Sequence, residues 1–178
     1  IPGKTLIEIS KILNGGMDDD VNIYFTDKHA LFEFENTIVL SRLIEGEYYK
    51  IDKMLSSDYE TKLTVNKKEM LDCIDRTTLL IKESDKKPVI IDIKDDSMGF
   101  NMHSSIGSMD EEIDAVKEGK DILIGFNPKF LIDALKVIDD ETIHLYLMNP
   151  KAPCFIRDDD ETYTYLILPV NISQNQTR

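Results

Sequence analysis

The sequence is poor in the residue types on which most redox and metal sites depend. It contains no tryptophan, two cysteines and three histidines among its 178 residues. Cys73 and Cys154 stand far apart, without a CxxC pair or a histidine at ligand spacing. This pattern predicts two ordinary core thiols in a reducing compartment. We therefore expect neither a bound metal ion nor a redox cofactor.

Long hydrophobic runs are also missing. No apolar stretch is long enough to cross a bilayer, and no positively charged leader precedes an apolar segment. Hydrophobic residues nevertheless make up 42% of the chain, which is typical of a globular protein. We therefore expect a soluble, cytoplasmic chain with no membrane partner.

Catalytic motifs are absent as well. His29, His103 and His144 share no motif with a serine or cysteine nucleophile and have no metal-ligand spacing. There is no phosphate-binding glycine loop. The acidic runs at residues 18–20 and 158–161 lack the alternating ligands and the glycine of a calcium loop, so they are interpreted as acidic turns. The sequence predicts a protein that is not an enzyme.

The formal net charge is −13, which by itself disfavours nucleic-acid binding, because phosphate neutralisation by lysine and arginine dominates such binding. The surface on which the lysines lie matters more for DNA binding than the net charge of the whole chain. A repeated sequence segment predicts where these lysines lie.

Three segments share one pattern of lysines, aliphatic residues and acids. Residues 4–13 read KTLIEISKIL, residues 129–138 read KFLIDALKVI, and residues 68–76 read KEMLDCIDR as a weaker copy. Each segment is predicted to be a helix followed by three β-strands. The predicted strands are residues 21–25, 30–34 and 37–44 after the first helix, 89–93, 98–102 and 111–116 after the second, and 142–148, 154–157 and 162–170 after the third. A further strand precedes the second and third helices, at residues 63–65 and 122–126.

The repeating unit is thus a strand, a helix and three strands, over roughly 60 residues. One such unit leaves a sheet face and a helix stripe uncovered, and pairing two units buries both. We therefore predict an α+β chain with one closed domain at residues 56–172. Residues 1–55 are predicted to be the second half of another, incomplete domain, and residues 173–178 a tail.

Lysines recur on the predicted helices at one spacing. Lys4 and Lys11 are seven residues apart, as are Lys129 and Lys136, and seven residues make two turns on one helix face. Apolar residues fall on another side and are expected to pack on a sheet: Leu6, Ile9 and Leu13 in the first helix, and Leu131, Ala134 and Ile138 in the third. The middle helix offers Lys67, Lys68 and Arg76, diluted by Asp72 and Asp75. The alternative interpretation is that these are ordinary solvated lysines on exposed helix faces.

Three motifs resemble one known family. Residues 40–49 (LSRLIEGEYY) resemble the S-[KR]-L-[IV]-[DE]-G-x-[FY]-P segment of bacterial DNA sliding clamps, the beta subunit of the DNA polymerase III holoenzyme. Residues 124–127 (IGFN) and 165–170 (YLILPV) are similar to two C-terminal motifs of that family. The resemblance covers residues 1–172. It implies a sliding-clamp fold with antiparallel sheets outside and helices on the inner face.

The resemblance also implies a function. A sliding clamp is a processivity factor, in which a homodimeric ring encircles double-stranded DNA without sequence specificity. It tethers the polymerase catalytic subunit, the clamp loader and repair proteins through short peptide motifs, and it needs no cofactor. By this resemblance the DNA-facing residues would be Lys4, Lys11, Lys67, Lys68, Arg76, Lys129 and Lys136. Gly3 stands where the family often has another basic residue.

Two further sites are implied by the same resemblance. The peptide-binding cleft would contain Asn127, Phe130, Pro153, Leu166, Leu168, Pro169, Val170, Asn171 and Ile172. The dimer interface would contain Arg76, Leu79 and Leu80. Ser56 stands where a cleft-edging proline is usual. Burial within a last strand remains the alternative for Leu166 and Leu168, whereas Val170 and Ile172 are expected to be exposed.

One motif is set aside. Residues 26–31 (TDKHAL) look like a cleft motif of the family, but their position predicts a hairpin turn. The main alternative function is a repeat-built protein-interaction scaffold with no DNA role. Lysines converging on one concave surface would favour the clamp, and scattered lysines would favour the scaffold.

Overall fold

The computed structural model describes residues 1–13, 20–48, 50–51, 54–55, 57–80, 87–160 and 162–172. The chain divides into two compact units, Ile1–Ile51 (unit 1) and Asp52–Arg178 (unit 2). The predicted tail, residues 173–178, lies outside the described residues, as do residues 18–19, Ser56 and Glu161.

In unit 1, helix α1 (Gly3–Ile12) is followed by strands β1 (Asn22–Phe25), β2 (His29–Phe34) and β3 (Thr37–Arg42). The strands form one antiparallel sheet in the order β1-β2-β3. Strand β2 alternates between partly exposed and buried residues, as expected of a sheet with one covered face. The small core contains Ile9 of α1 and Ala30, Phe32 and Phe34 of β2.

The predicted apolar stripe of α1 is only partly correct. Ile9 is buried, but Leu6 and Leu13 are 46% and 38% exposed. Among the described residues, the sheet beneath α1 has three strands, and of the helix only Ile9 is buried in the small core. The other aliphatic side chains of α1 have no second layer within the described part of unit 1.

The predicted hairpin turn at residues 26–31 is present between β1 and β2. The Thr26 backbone N–H donates to the His29 carbonyl at 2.8 Å, and the His29 N–H donates to Thr26 Oγ1 at 3.1 Å. A threonine side chain that bonds its own turn in this way is common in tight connections.

Unit 2 contains two copies of the strand–helix–three-strand repeat. The first copy runs β4 (Thr61–Asn66), α2 (Lys67–Thr78), β5 (Val89–Lys94), β6 (Ser97–Ser104) and β7 (Gly107–Gly119). The second runs β8 (Ile122–Phe126), α3 (Pro128–Leu135), β9 (Thr142–Leu147), β10 (Cys154–Arg157) and β11 (Thr164–Ile167). Together the strands make an antiparallel sheet of eight, in the order β11-β10-β9-β4-β7-β6-β5-β8. The predicted α+β class and repeat are confirmed.

The two copies exchange their leading strands. Strand β4 of the first copy pairs with β9 of the second, and β8 of the second pairs with β5 of the first. Helices α2 and α3 pack against each other. The exchange explains why a single copy cannot close a core and why two can.

The apolar sides of both helices are buried in the core of unit 2. Met70, Cys73 and Ile74 of α2 and Leu131 and Leu135 of α3 are all buried in one cluster with the inward faces of the strands. The lysine-bearing sides of these helices are left outside that cluster. No helix among the described residues is long and apolar enough to span a membrane.

Each helix of unit 2 is preceded by an asparagine N-cap. The side-chain oxygen of Asn66 accepts from the Glu69 N–H at 3.0 Å, and that of Asn127 accepts from the Lys129 N–H at 3.1 Å. Pro128 occupies the first turn of α3. Asparagine caps and an early proline are favourable at this position, because the first N–H groups of a helix have no partner within it.

Strand β7 passes from one half of the sheet to the other. Its first part, Gly107 to Asp114, pairs with β6, and its second part, Ala115 to Gly119, pairs with β4. Gly119 ends the strand at φ +110°, and a Cβ atom there would lie 2.0 Å from the Glu60 carbonyl oxygen. This glycine is required both for its backbone conformation and for the close approach of β4.

We therefore expect Gly119→Ala to lower the free energy of unfolding by roughly 2–3 kcal/mol, since it combines a strained φ with a backbone clash. Urea unfolding followed by circular dichroism measures the change. The control is Gly107→Ala in the same strand, where the nearest atom to the added Cβ is Leu80 Cδ2 at 3.4 Å. Equal midpoints for the two variants would contradict this account.

Candidate functional site

An apolar groove lies between α3 and the last strand of unit 2. It has a volume of about 420 Å³ and is lined by Phe130, Asp133, Ala134, Tyr165, Leu166, Ile167 and Leu168. Six of these seven residues are apolar or aromatic, and Asp133 supplies one carboxylate. The groove can accept an extended apolar segment rather than a polar metabolite.

The first wall comes from the outward side of α3. Leu131 and Leu135 point into the core and are buried, whereas Phe130 is 54% exposed. Residues three and four positions further along a helix share its face, so Asp133 and Ala134 line the groove beside Phe130. Phe130 was the one predicted cleft residue of α3, although helical spacing could have identified Asp133 and Ala134 as well.

The second wall comes from β11 and the residue after it. Strand β11 pairs with β10 through four residue pairs, from Cys154↔Ile167 to Arg157↔Thr164. This pairing holds Tyr165, Leu166 and Ile167 in place along the groove. Leu168 follows the strand and is 59% exposed. Tyr165 and Ile167 were not among the predicted cleft residues, because the resemblance assigned only Leu166 of this strand to the cleft.

The chain then returns to the sheet. The Val170 N–H donates to the Gly125 carbonyl of β8 at 2.8 Å, and the two residues form an isolated antiparallel bridge. Val170 and Ile172 were predicted to be exposed, and this is wrong: both are half-buried. Their side chains pack over Gly125, which has no side chain to prevent it.

The predicted cleft residues thus separate into three groups. Phe130, Leu166 and Leu168 line the groove, while Asn127 caps α3 and Val170 fastens the chain to β8. The remaining four lie outside the groove lining: Pro153, Pro169, Asn171 and Ile172.

The predicted DNA-facing residues are not equivalent in the structure. Six of the seven are exposed, and four of these six make no side-chain hydrogen bond or ion pair with another described residue: Lys4, Lys68, Lys129 and Lys136. Lys11 is also exposed but bonds Glu8 at 2.9 Å. Lys136 follows the last residue of α3 as its C-cap, which places it one turn beyond Ile132 and Asp133.

The other two cations are engaged within unit 2. Lys67 is half-buried, and its Nζ donates to the Ile138 carbonyl. Arg76 makes a two-pronged ion pair with Glu111, in which Nε lies 2.8 Å from Oε1. The Arg76 guanidinium holds the pKa of Glu111 below its usual range, and Glu111 in turn raises the pKa of Arg76. Both groups are therefore charged at neutral pH.

Two of the three predicted dimer residues lie close to strand β7, since Arg76 pairs with Glu111 and Leu80 lies near Gly107. Leu79 is 77% exposed, whereas Leu80 is half-buried against the core of unit 2. The nearby first part of β7 pairs only with β6 among the described strands, so its other edge is open. Four acidic residues lie along that part: Asp110, Glu111, Glu112 and Asp114.

The described residues contain no cluster of histidine, cysteine and acidic side chains that could hold a metal ion. Burial raises the pKa of both the Cys73 and Cys154 thiols to about 12, so both are protonated and unreactive. In the acidic run after β10, Asp158 accepts bonds from the Thr162 N–H at 2.8 Å and the Thr162 hydroxyl at 2.6 Å. This carboxylate fixes a turn.

Comparison with known proteins agrees with this geometry. Residues 52–171 match the C-terminal domain family of the DNA polymerase III beta subunit, and residues 1–50 match its central domain. The beta sliding clamp of Staphylococcus aureus is 34% identical over 173 residues, which are 96% of this chain and 46% of that protein.

Solved structures give the same result. A crystal structure from Eubacterium rectale is 66% identical, with a TM-score of 0.89 over 97% of this chain and 47% of the other. The DNA polymerase sliding clamp of Bacillus subtilis is 37% identical, with a TM-score of 0.85 over 97% of this chain and 46% of the other.

The chain therefore spans about half the length of the relatives it matches. The chain belongs to the DNA polymerase III beta subunit family, the bacterial sliding clamps.

Proposed function

We propose that this chain is part of a processivity factor that encircles duplex DNA and tethers a replicative polymerase and other proteins through short peptides. The observation that carries the proposal is the apolar groove beside α3, built by a chain that belongs to the sliding-clamp family. Encirclement belongs to a longer form, because the chain covers less than half of each relative. We place the protein in the cytoplasm and assign it no reaction of its own.

Peptide docking follows from the chemistry of the groove. Phe130 and Leu168 are large apolar side chains that remain 54% and 59% exposed. Covering them with an apolar peptide side chain removes that surface from water, at about 25 cal/mol per Å². Such anchors carry most of the binding free energy in peptide complexes. Asp133 adds one negative charge, which favours a peptide with a basic or neutral flank.

We expect Leu168→Ala to weaken binding of a labelled peptide that carries the clamp-binding motif of a polymerase catalytic subunit. A loss of about tenfold in affinity, or about 1.4 kcal/mol, is typical of a truncated anchor. Fluorescence anisotropy with this chain, and with a form extended to the length of its relatives, measures the change.

The matched control for this titration is Leu123→Ala. Leu123 is 37% exposed on β8 and does not line the groove. Equal losses for Leu168→Ala and Leu123→Ala would show that the groove is not the binding site. Absence of saturable binding by the extended form would contradict the docking proposal itself.

The exposed helix lysines support the DNA role. Four exposed lysines carry positive charge that can contact phosphates: Lys4, Lys68, Lys129 and Lys136. A lysine contacts phosphates without the bidentate geometry by which an arginine reads a base edge. A ring that surrounds DNA needs only weak, non-specific attraction, because closure retains the duplex. The excess of acidic residues in the chain then does not prevent DNA binding, provided that these residues lie away from the duplex.

We expect the double variant Lys129→Ala/Lys136→Ala to bind duplex DNA more weakly, and equally so for all sequences. The plot of log binding constant against log salt concentration should become less steep, by about 0.9 for each lost phosphate contact. Filter binding from low to moderate salt provides the slope. The control is Lys151→Ala, an exposed lysine in the turn between β9 and β10. An unchanged slope would instead favour a protein-interaction scaffold with no DNA role.

The open edge of β7 supports a homodimer in the longer form. An unpaired strand edge is a ready template for another chain, and Leu79, the neighbour of Leu80 in the chain, is an exposed apolar side chain. The four acidic residues of this part of β7 require a partner edge that is basic. Arg76 neutralises only Glu111, so its contribution to the interface is to hold that strand in position.

A further inference from the structure

Among the described residues, the segment after β11 makes fewer backbone pairs to the sheet than its counterpart in the first repeat. In the first repeat, β7 joins β4 through five residue pairs, one of them Thr64↔Val116. In the second repeat, the equivalent contact to β8 within the described residues is the bridge Gly125↔Val170. This bridge joins the C-terminal segment (residues 168–172), which directly continues the wall of the groove, to strand β8.

The C-terminal segment packs on the sheet at Gly125 of strand β8. A Cβ atom at Gly125 would lie 3.0 Å from Ile172 Cγ1, 3.4 Å from Val170 Cγ2 and 3.4 Å from Ile90 Cδ1. The backbone of Gly125 is ordinary strand, without a positive φ. The glycine is thus needed for space alone, because the Val170 and Ile172 side chains occupy the volume that any larger residue would fill.

We propose that Gly125 is a positioning residue of the peptide groove. Its missing side chain lets Val170 and Ile172 seat on β8, and this seating fixes Leu168 in the groove wall. The inference rests on the proposed peptide-docking function, but Gly125 itself does not touch the groove. Its effect on a peptide is transmitted through the C-terminal segment.

The test variant is Gly125→Val. Valine suits a strand, so the change acts through the volume it adds beside Val170 and Ile172. Two measurements are made on the full chain: hydrogen exchange of the Val170 amide by NMR, and affinity for the labelled clamp-binding peptide. The control is Gly99→Ala on β6, where the nearest atom to an added Cβ is the Asp92 carbonyl oxygen at 3.5 Å. The second-site variant is Gly125→Val/Ile172→Ala, which removes the side chain that valine would displace.

In Gly125→Val we expect at least tenfold faster exchange of the Val170 amide and at least tenfold weaker peptide binding, with an unchanged circular dichroism spectrum. Gly99→Ala should change neither, and Ile172→Ala should restore most of the amide protection in the double variant. Unchanged Val170 exchange in Gly125→Val, or faster exchange without loss of affinity, would overturn the proposal. If the unaltered chain and its extended form bind no peptide, the docking function fails, while the exchange measurement still decides whether Gly125 seats the segment.

Discussion

The exchange of leading strands between the two repeats of unit 2 is the constraint on which the rest of the structure depends. Strand β4 completes the sheet of the second copy and β8 completes that of the first, so neither copy has a closed core without the other. The exchange also places α2 against α3. As a result, both helices bury one stripe and leave the opposite side, with Lys68 and Lys129, outside the core.

The same arrangement produces three kinds of surface. The exposed lysines that we assign to DNA lie on the helices or directly after them, whereas Asp110 to Asp114 lie along strand β7. The apolar groove lies where α3 meets the last strand. Helix α3 contributes to two of these surfaces, because Lys129 stands directly before the groove residue Phe130.

Much of this could be predicted from sequence, and the failures have physical reasons. The repeat was visible because helix and strand periodicities recur with matching lysines, and each predicted helix and strand is present within a few residues. Exposure of Leu6 and Leu13 was not foreseen, since periodicity shows which side of a helix is apolar but not whether a second layer covers it. Pairing of Arg76 with Glu111, 35 residues away, depends on tertiary contact that no local pattern records. The resemblance identified Val170 and Ile172, but their packing on Gly125 depends on the return of the chain to β8, which no local pattern records.

The bond from Lys67 to the Ile138 carbonyl has a consequence for the duplication itself. Lys67 is the first residue of α2, and Ile138 follows the C-terminal end of α3. The Lys67 ammonium group of α2 therefore lies at the C-terminal end of α3, where the helix dipole is negative. Pro128 holds the corresponding first position of α3 and can offer neither a charge nor an N–H. The two copies have therefore lost their equivalence. The contact between the two halves is therefore asymmetric, because α2 supplies a lysine to the end of α3 and α3 begins with a proline that cannot return the bond.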